Sequence, residues 1–288
     1  MSTYEMGLIQ PRQHRPIGVG KVITYIVLTL WAVTTVYPFF WVIVNSFRPK
    51  TEILNNSFNI PTDPTLANYQ TAFGKMNVGW AYVNSFVISG TVMLAVLIFG
   101  GLAAYGLGRY LFRGRGVLLS LVYASLMFPA FSTIIPVYGI IFKMHLVNHA
   151  LGVILPQIAG NLSFAIVILI GNIQSLPIDV EESAYLEGAS VYGVFFRIVV
   201  PLLRPAFATV AIFAFLWSYN DLFTQLFFLR YKETFTITRL LNEISSIYGT
   251  DYGLMAAAVT LVVIPVLIVY VFLQNNIIKG LTAGAVKG

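Results

Sequence analysis

Charge is almost absent from long stretches of this chain. Val22–Phe47, Met144–Ile178 and Ala206–Asn220 contain no Asp, Glu, Lys or Arg at all. A membrane-crossing helix needs roughly 20 predominantly apolar residues. Composition agrees: 58% of the residues are hydrophobic, only 10% are charged, and mean hydropathy is +0.81, against about 25% charged residues in soluble domains. A water-soluble fold of 288 residues could not hide so many apolar runs. The expected fold class is therefore all-α integral membrane, with six transmembrane helices.

The order of polar and apolar segments gives the expected organisation. Residues 1–21, with Arg12, His14, Arg15 and Lys21, form an N-terminal tail before a six-helix domain spanning 22–278. The first run is too long for a signal-peptide core and shows no clear small-x-small cleavage site, so it reads as a retained span. Residues 48–80 are polar, rich in Pro and Asn, and read as an ordered external loop with a short helix near Leu66–Phe73. Span two, about 81–107, carries Gly90, Gly100, Gly101 and Ala104, small residues that allow close helix contact. Arg109, Arg113 and Arg115 make a compact basic loop, the clearest cytoplasmic marker in the chain. Span three, 116–142, is interrupted by Pro129 and Pro136; span four covers 150–173, span five 202–229 and span six 253–278. Six spans place both termini on one side. Lys and Arg number ten on the side holding the termini and seven on the other, so charge bias alone leaves orientation open.

Net charge of +6 does not point to nucleic acid, because the basic residues are scattered between spans and form no stripe. Topology and anionic lipid account for them more simply. The chain has no cysteine, which excludes disulfides, thiolate catalysis and Cys-ligated metal. There is no G-x-x-x-x-G-K-[ST] phosphate loop, so the chain should not hydrolyse ATP itself. No Ser-His-Asp set is visible, and no metal site is expected. His145 and His149 could share a helical face, but solvated interfacial histidines explain them better.

The main exception to the apolar pattern is an acidic island in the loop at 177–201. Asp179, Glu181, Glu182 and Glu187 are four of the chain's 11 acidic residues. Asp179 followed by Glu182 reads as a helix N-cap with a capping box. That helix is expected to present Val180, Ala184 and Ala189 on one side and Glu181, Glu182 and Glu187 around the other. Gly188 can take the left-handed conformation that ends a helix. Ser190 would cap a second helix through Tyr192, Phe195, Phe196 and Ile198, stopped or kinked by Pro201. Two short helices joined at a glycine suit docking into a partner's groove. A solvated loop between two spans is the plainer alternative.

Glu182-Ser183-Ala184, Gly188-Ala189 and Ile198-Val199-Val200-Pro201 together resemble the EAA motif of ABC importer permeases. The spacing fits throughout; Ser183, Val200 and Glu187 are mild departures from the pattern. The C-terminal Gly280–Gly288 run is similar to that of maltose-type (MalG-like) carbohydrate permeases, as are Asn45–Lys50 and Leu102–Arg109. The resemblance covers nearly the whole chain. It implies a type I ABC importer permease fold whose cytoplasmic coupling helix sits in a cleft of a separate ATPase. The coupling residues would then be Glu181, Glu182, Ser183, Ala184, Glu187, Gly188, Ala189, Ile198 and Pro201. The tail at 279–288, through Gly280, Leu281, Thr282, Ala283, Gly284 and Lys287, would reach between the ATPase subunits; composition alone suggests a frayed end. Implied partners are a second homologous permease, two copies of an ABC ATPase, an extracytoplasmic solute-binding protein, a carbohydrate substrate and the lipid bilayer. The chain itself would hold no cofactor, ATP and Mg²⁺ being bound by the ATPase. The implied location is the bacterial cytoplasmic membrane, multi-pass, with both termini cytoplasmic.

Substrate-path residues are harder to read. Asp221 is the one carboxylate part-way along a span, and a charge there costs on the order of 2.5–3.5 kcal/mol on the insertion scale, so it should face protein or water. Trp217, Tyr219, Asn220 and Asp221, with Asn84, could line a path on which a sugar stacks and hydrogen-bonds. Asp221 could equally mark a helix break that anchors packing, and Asn84 could make an interhelical hydrogen bond. The scarcity of other charge in the spans argues against an ion-coupled secondary transporter, the alternative reading.

Overall fold

The computed structural model describes residues 19–285 apart from Asn56, Ile60, Gly249 and Thr250. The described residues are helical with short connections, and no strand occurs among them. In order, the helices are α1 (Val19–Asn45), α2 (Lys50–Asn55), α3 (Ala67–Met76), α4 (Val78–Ala95), α5 (Gly101–Arg109), α6 (Arg115–Ser125) and α7 (Ala130–Lys143). There follow α8 (Ala150–Ile173), α9 (Asp179–Leu186), α10 (Val191–Val194), α11 (Val200–Leu202), α12 (Arg204–Asn220), α13 (Leu222–Phe228), α14 (Ile237–Tyr248) and α15 (Tyr252–Ala285). Two π-helical turns, Val96–Gly100 and Phe195–Val199, join α4 to α5 and α10 to α11.

Four helices among the described residues are long and apolar enough to cross a membrane: Val19–Asn45, Val78–Arg109, Ala150–Ile173 and Tyr252–Phe272. A fifth crossing is made if Val191–Leu202 and Arg204–Asn220 count together, although they meet at 86°. The expected third span is two pieces, because α6 ends at Ser125 and α7 begins only after Pro129. Proline has no amide hydrogen and disfavours helix in the residue before it, so Phe128–Pro129 breaks the run while Pro136 is carried inside α7.

The core forms where α4 and α5 pack on α8, and where α12 packs on α4 and α15. Small residues set the distances. A Cβ on Gly100 would lie 3.1 Å from the Ala165 methyl, and one on Gly101 would lie 2.9 Å from the Phe207 ring and 3.1 Å from that of Phe195. Gly100, at the end of the first π turn, thus lets α8 approach, and Gly101 at the start of α5 makes room for Phe195 of the second π turn and Phe207 of α12. By contrast α1 buries only Asn45 and touches the rest along α15, leaving an apolar surface for lipid or another subunit.

The polar segments are ordered by specific bonds. Asn68 donates to the Ser46 and Arg48 carbonyls at 2.9 and 2.8 Å, and Gly253 of α15 packs against the same Arg48 carbonyl. The short helix expected near Leu66–Phe73 is α3. Between α7 and α8, His145 and Asn148 adopt left-handed backbone angles (φ 57 and 64), which suits a sharp turn. That turn is pinned to the end of α13 by Asn148, whose amide donates to the Phe228 carbonyl at 2.8 Å.

The run Gly280–Gly284, expected as part of a C-terminal tail after span six, continues α15 as helix to Ala285, while Lys287 lies outside the described residues.

Candidate functional site: a docking segment and a polar break

The acidic island folds as two short helices joined at a glycine. Gly188 has φ +88, where a side chain would be strained. Its amide donates to the Tyr185 carbonyl and that of Ala189 to the Ala184 carbonyl, both at 3.0 Å. This pair of bonds is the Schellman arrangement, and it closes α9 with Ala184 and Ala189 side by side. The Ser190 hydroxyl accepts from the Gly193 amide at 3.2 Å, the cap expected of it. At the other end the helix starts one residue earlier than a capping box on Asp179 requires. Ile178 occupies the cap position, no side chain caps it, and Asp179 lies in the first turn with Glu181 and Glu182. Negative charge there is favourable against the helix dipole without any capping bond. Pro201 lies inside α11; the chain turns two residues later, at Leu203.

The faces of α9 are not those expected. Glu182 and Glu187 are exposed, but Glu181 is buried with Ala184. Its carboxylate takes the Arg109 Nε at 2.7 Å and the Tyr105 hydroxyl at 2.8 Å. Val180, expected on the same side as Ala184, is exposed while Ala184 is buried, and Leu186 is 90% exposed. A helix face shifts by 100° per residue, so one position decides between core and solvent. Ser183 bonds back to the Asp179 carbonyl at 2.7 Å. Tyr185 joins the buried cluster, hydrogen-bonded to Tyr105 and Tyr110 at 2.8 and 2.9 Å. Burial pushes its phenol above its ordinary range, so it is a neutral hydrogen-bonding group at physiological pH.

What remains outside is a surface of acidic and large apolar groups: Glu182, Glu187, Leu186, Tyr192 and Phe196. A groove of about 770 Å³ runs beside it, lined by Ala184, Glu187, Gly188, Ala189, Tyr192 and Ile198 among others. Such a surface is costly to leave in water and suits a protein partner. Leu186 was missed in the sequence because its exposure depends on helix register.

The candidate path residues lie around a second feature, the break between α12 and α13. Asp221 has ψ 83 and leaves the helix; its Oδ1 accepts from the Thr224 amide at 3.0 Å and so caps α13. Its Oδ2 accepts from Gln157 at 2.8 Å, and Gln157 in turn accepts from Ser218 at 2.6 Å. Gln225 donates to the Ser218 carbonyl at 3.1 Å and accepts from Thr236. Tyr219 is buried against Phe86 and Phe215. Asn84 donates to the Glu233 and Phe235 carbonyls, both at 3.0 Å. Trp217 and Asn220 are exposed, the indole resting edge-on against Phe164. Three of the five path candidates are thus engaged inside the protein, and two face outward. Gln157, Ser218 and Gln225 complete the network; each is an ordinary polar residue within an apolar run and carries no motif.

No group of three or more His, Asp or Glu residues with metal-binding geometry occurs among the described residues. The described residues thus combine apolar helices long enough to cross a membrane, a polar break at Asp221, and a two-helix segment that leaves acidic and large apolar groups exposed.

Comparison with known proteins agrees. Residues 96–283 match the family model described as "Binding-protein-dependent transport system inner membrane component". The chain belongs to that family of transport permeases. It is 32% identical over 267 residues to the diacetylchitobiose uptake system permease protein NgcG of Streptomyces coelicolor, covering 92% of this chain and 88% of the relative. It is 34% identical over 269 residues to the galactooligosaccharides transport system permease protein GanQ of Bacillus subtilis, covering 92% and 95%. The arabinooligosaccharides transport system permease protein AraQ of the same organism is 32% identical over 256 residues, covering 88% and 90%. The fold matches a chain of a bacterial ABC transporter involved in the import of the acidic polysaccharide alginate. The TM-score is 0.78 at 21% identity, over 92% of this chain and 99% of that one.

Proposed function

We propose that this chain is one permease subunit of an ATP-driven, binding-protein-dependent importer of sugars or oligosaccharides in the bacterial cytoplasmic membrane. The observation that carries the reading is the α9–α11 segment, with Glu182, Glu187, Leu186 and Tyr192 exposed, in a chain of this family and without a nucleotide-binding loop. In this reading the segment is a cytoplasmic coupling helix held in a cleft of an ABC ATPase, present in two copies that bind ATP and Mg²⁺. Glu182, Ser183, Glu187 and Gly188 face that cleft, Ala184, Ala189, Ile198 and Pro201 shape the segment, and Glu181 fixes it from behind. The C-terminal residues Gly280–Lys287 reach toward the ATPase pair. α6 and α7 together make one crossing, giving six spans with both termini in the cytoplasm. A second homologous permease completes the path, and an extracytoplasmic solute-binding protein delivers substrate. Closure of the ATPases on ATP displaces the segment and swings the spans between inward- and outward-facing states; hydrolysis resets them.

The oligosaccharide class is supported by the names of three relatives at 32–34% identity. The substrate contacts assigned to this chain in this reading are Trp217 and Asn220, both exposed beside the break.

Reconstitution tests the reading. Proteoliposomes holding this chain, its partner permease and the ATPase should accumulate oligosaccharide only with internal ATP and external binding protein. Uptake following an ion gradient without ATP would establish a secondary carrier instead.

A further inference from the structure

The island's buried acid has a function separate from that of its exposed neighbours. Glu181 is 4% exposed, and a buried carboxylate is tolerated only when charge-paired and hydrogen-bonded. Both of its donors, Arg109 at 2.7 Å and Tyr105 at 2.8 Å, sit on α5, the end of the second span. Tyr105 has one hydroxyl proton and gives it to Glu181, so Tyr185 must donate to Tyr105, and Tyr110 to Tyr185. Glu181 and Tyr185 are four residues apart, on one face of α9, and both meet the same helix. Arg109 also reaches the Leu176 carbonyl at 3.0 Å, holding the chain just ahead of α9. The docking segment is therefore fastened at successive turns to one particular span, while its link to α12 runs through the bent connection at Leu203.

We propose that Glu181 is a positioning residue: with Arg109 and Tyr105 it latches α9 to α5, so that displacement of the docking segment moves the second span directly. This rests on the proposed function, since it presumes a partner that drives α9. The latch would separate attachment from transmission, with Glu182 and Glu187 gripping the partner and Glu181 passing the movement on.

The test uses the full transporter purified from membranes, comparing Glu181→Gln, Glu181→Ala and the exchanged pair Glu181→Arg/Arg109→Glu. The readouts are ATPase subunit retained on purification, ATP-dependent oligosaccharide uptake, and stimulation of ATP hydrolysis by loaded binding protein. Glu181→Ala should retain the ATPase, lose roughly ten-fold in uptake, and hydrolyse ATP with little response to binding protein. Glu181→Gln keeps the shape without the charge and should lie between the wild type and the Ala variant. The exchanged pair should regain part of the loss, as expected when two residues act through one interaction. Wild-type uptake in both single variants would overturn the latch. Loss of the ATPase together with uptake would also overturn it, making Glu181 a docking residue. A wild-type chain that retains no ATPase would instead refute the importer reading, so the two failures are distinguishable.

Discussion

Replacing Asp221 by Ala and by Asn separates two uses of one carboxylate. In the structure its Oδ1 caps α13 through Thr224 and its Oδ2 accepts from Gln157. Losing an N-cap costs about 1 kcal/mol. Leaving the Gln157 amide without its charged acceptor costs about 1.5–3 kcal/mol. Asp221→Ala should therefore destabilise the chain by about 3 kcal/mol. At about 2–4 °C per kcal/mol for a domain of comparable size, the melting point should fall by roughly 6–12 °C. Asn is nearly the same shape, caps helices as well as Asp, and still offers an oxygen to one of the two donors. Asp221→Asn should lose less than about 1 kcal/mol and melt within about 4 °C of wild type. The assay is a thermal melt of the detergent-solubilised protein, paired with uptake kinetics of the same variants in vesicles. If the Ala variant melts like the wild type, the capping account is wrong. If the Asn variant melts normally but has lost uptake, the charge acts on the substrate and Asp221 belongs to the path.

Other positions give simpler tests. Gly188→Pro cannot adopt φ +88 and should abolish co-purification of the ATPase while leaving membrane insertion intact, as should Glu182→Lys by reversing an exposed charge; normal pull-down of both would remove the docking role. Gly152→Ala would place a Cβ 2.2 Å from the Leu146 carbonyl oxygen, so the turn between α7 and α8 must shift, and the yield of folded protein by size-exclusion chromatography should drop several-fold. Ser85→Ala removes the acceptor of the buried Ile237 amide and should cost about 1–3 kcal/mol, read as a lower melting point with unchanged ATPase attachment.

Much of this architecture can be read from the chain itself, because the determining physics is local or compositional. A charge-free run long enough for lipid is unambiguous, and the span expected at about 150–173 is the helix Ala150–Ile173. Gly188 and Ser190 were recognisable because positive φ and a hydroxyl cap are properties of single residue types. The inward turn of Glu181 was not recognisable, since its donors lie 72 and 76 residues away and helix register alone decides whether they meet. The same holds for Leu186. The capping box on Asp179 failed by a single residue, because a helix with three acids in its first turn is favoured by the dipole whether or not one of them caps. Asp221 stands out as a carboxylate within an apolar span, but its partner Gln157 lies on another span and is invisible to any local pattern. The right-angled turn has no such local signature: Pro201 predicts a stop or kink at its own position, while the bend falls at Leu203.

That turn has a geometric consequence. Val191–Leu202 is a rigid arm of 12 residues, roughly 18 Å long at the helical rise, hinged at 86° to the crossing it leads into. An arm set at a right angle to a shaft turns a sideways push at its tip into rotation of the shaft, much as a crank does. Swinging it by about 10° sweeps the tip only about 3 Å, a displacement comparable to small helix shifts at subunit interfaces. In the proposed importer, the bend at Leu203 is the point at which a small displacement of the arm becomes rotation of the crossing.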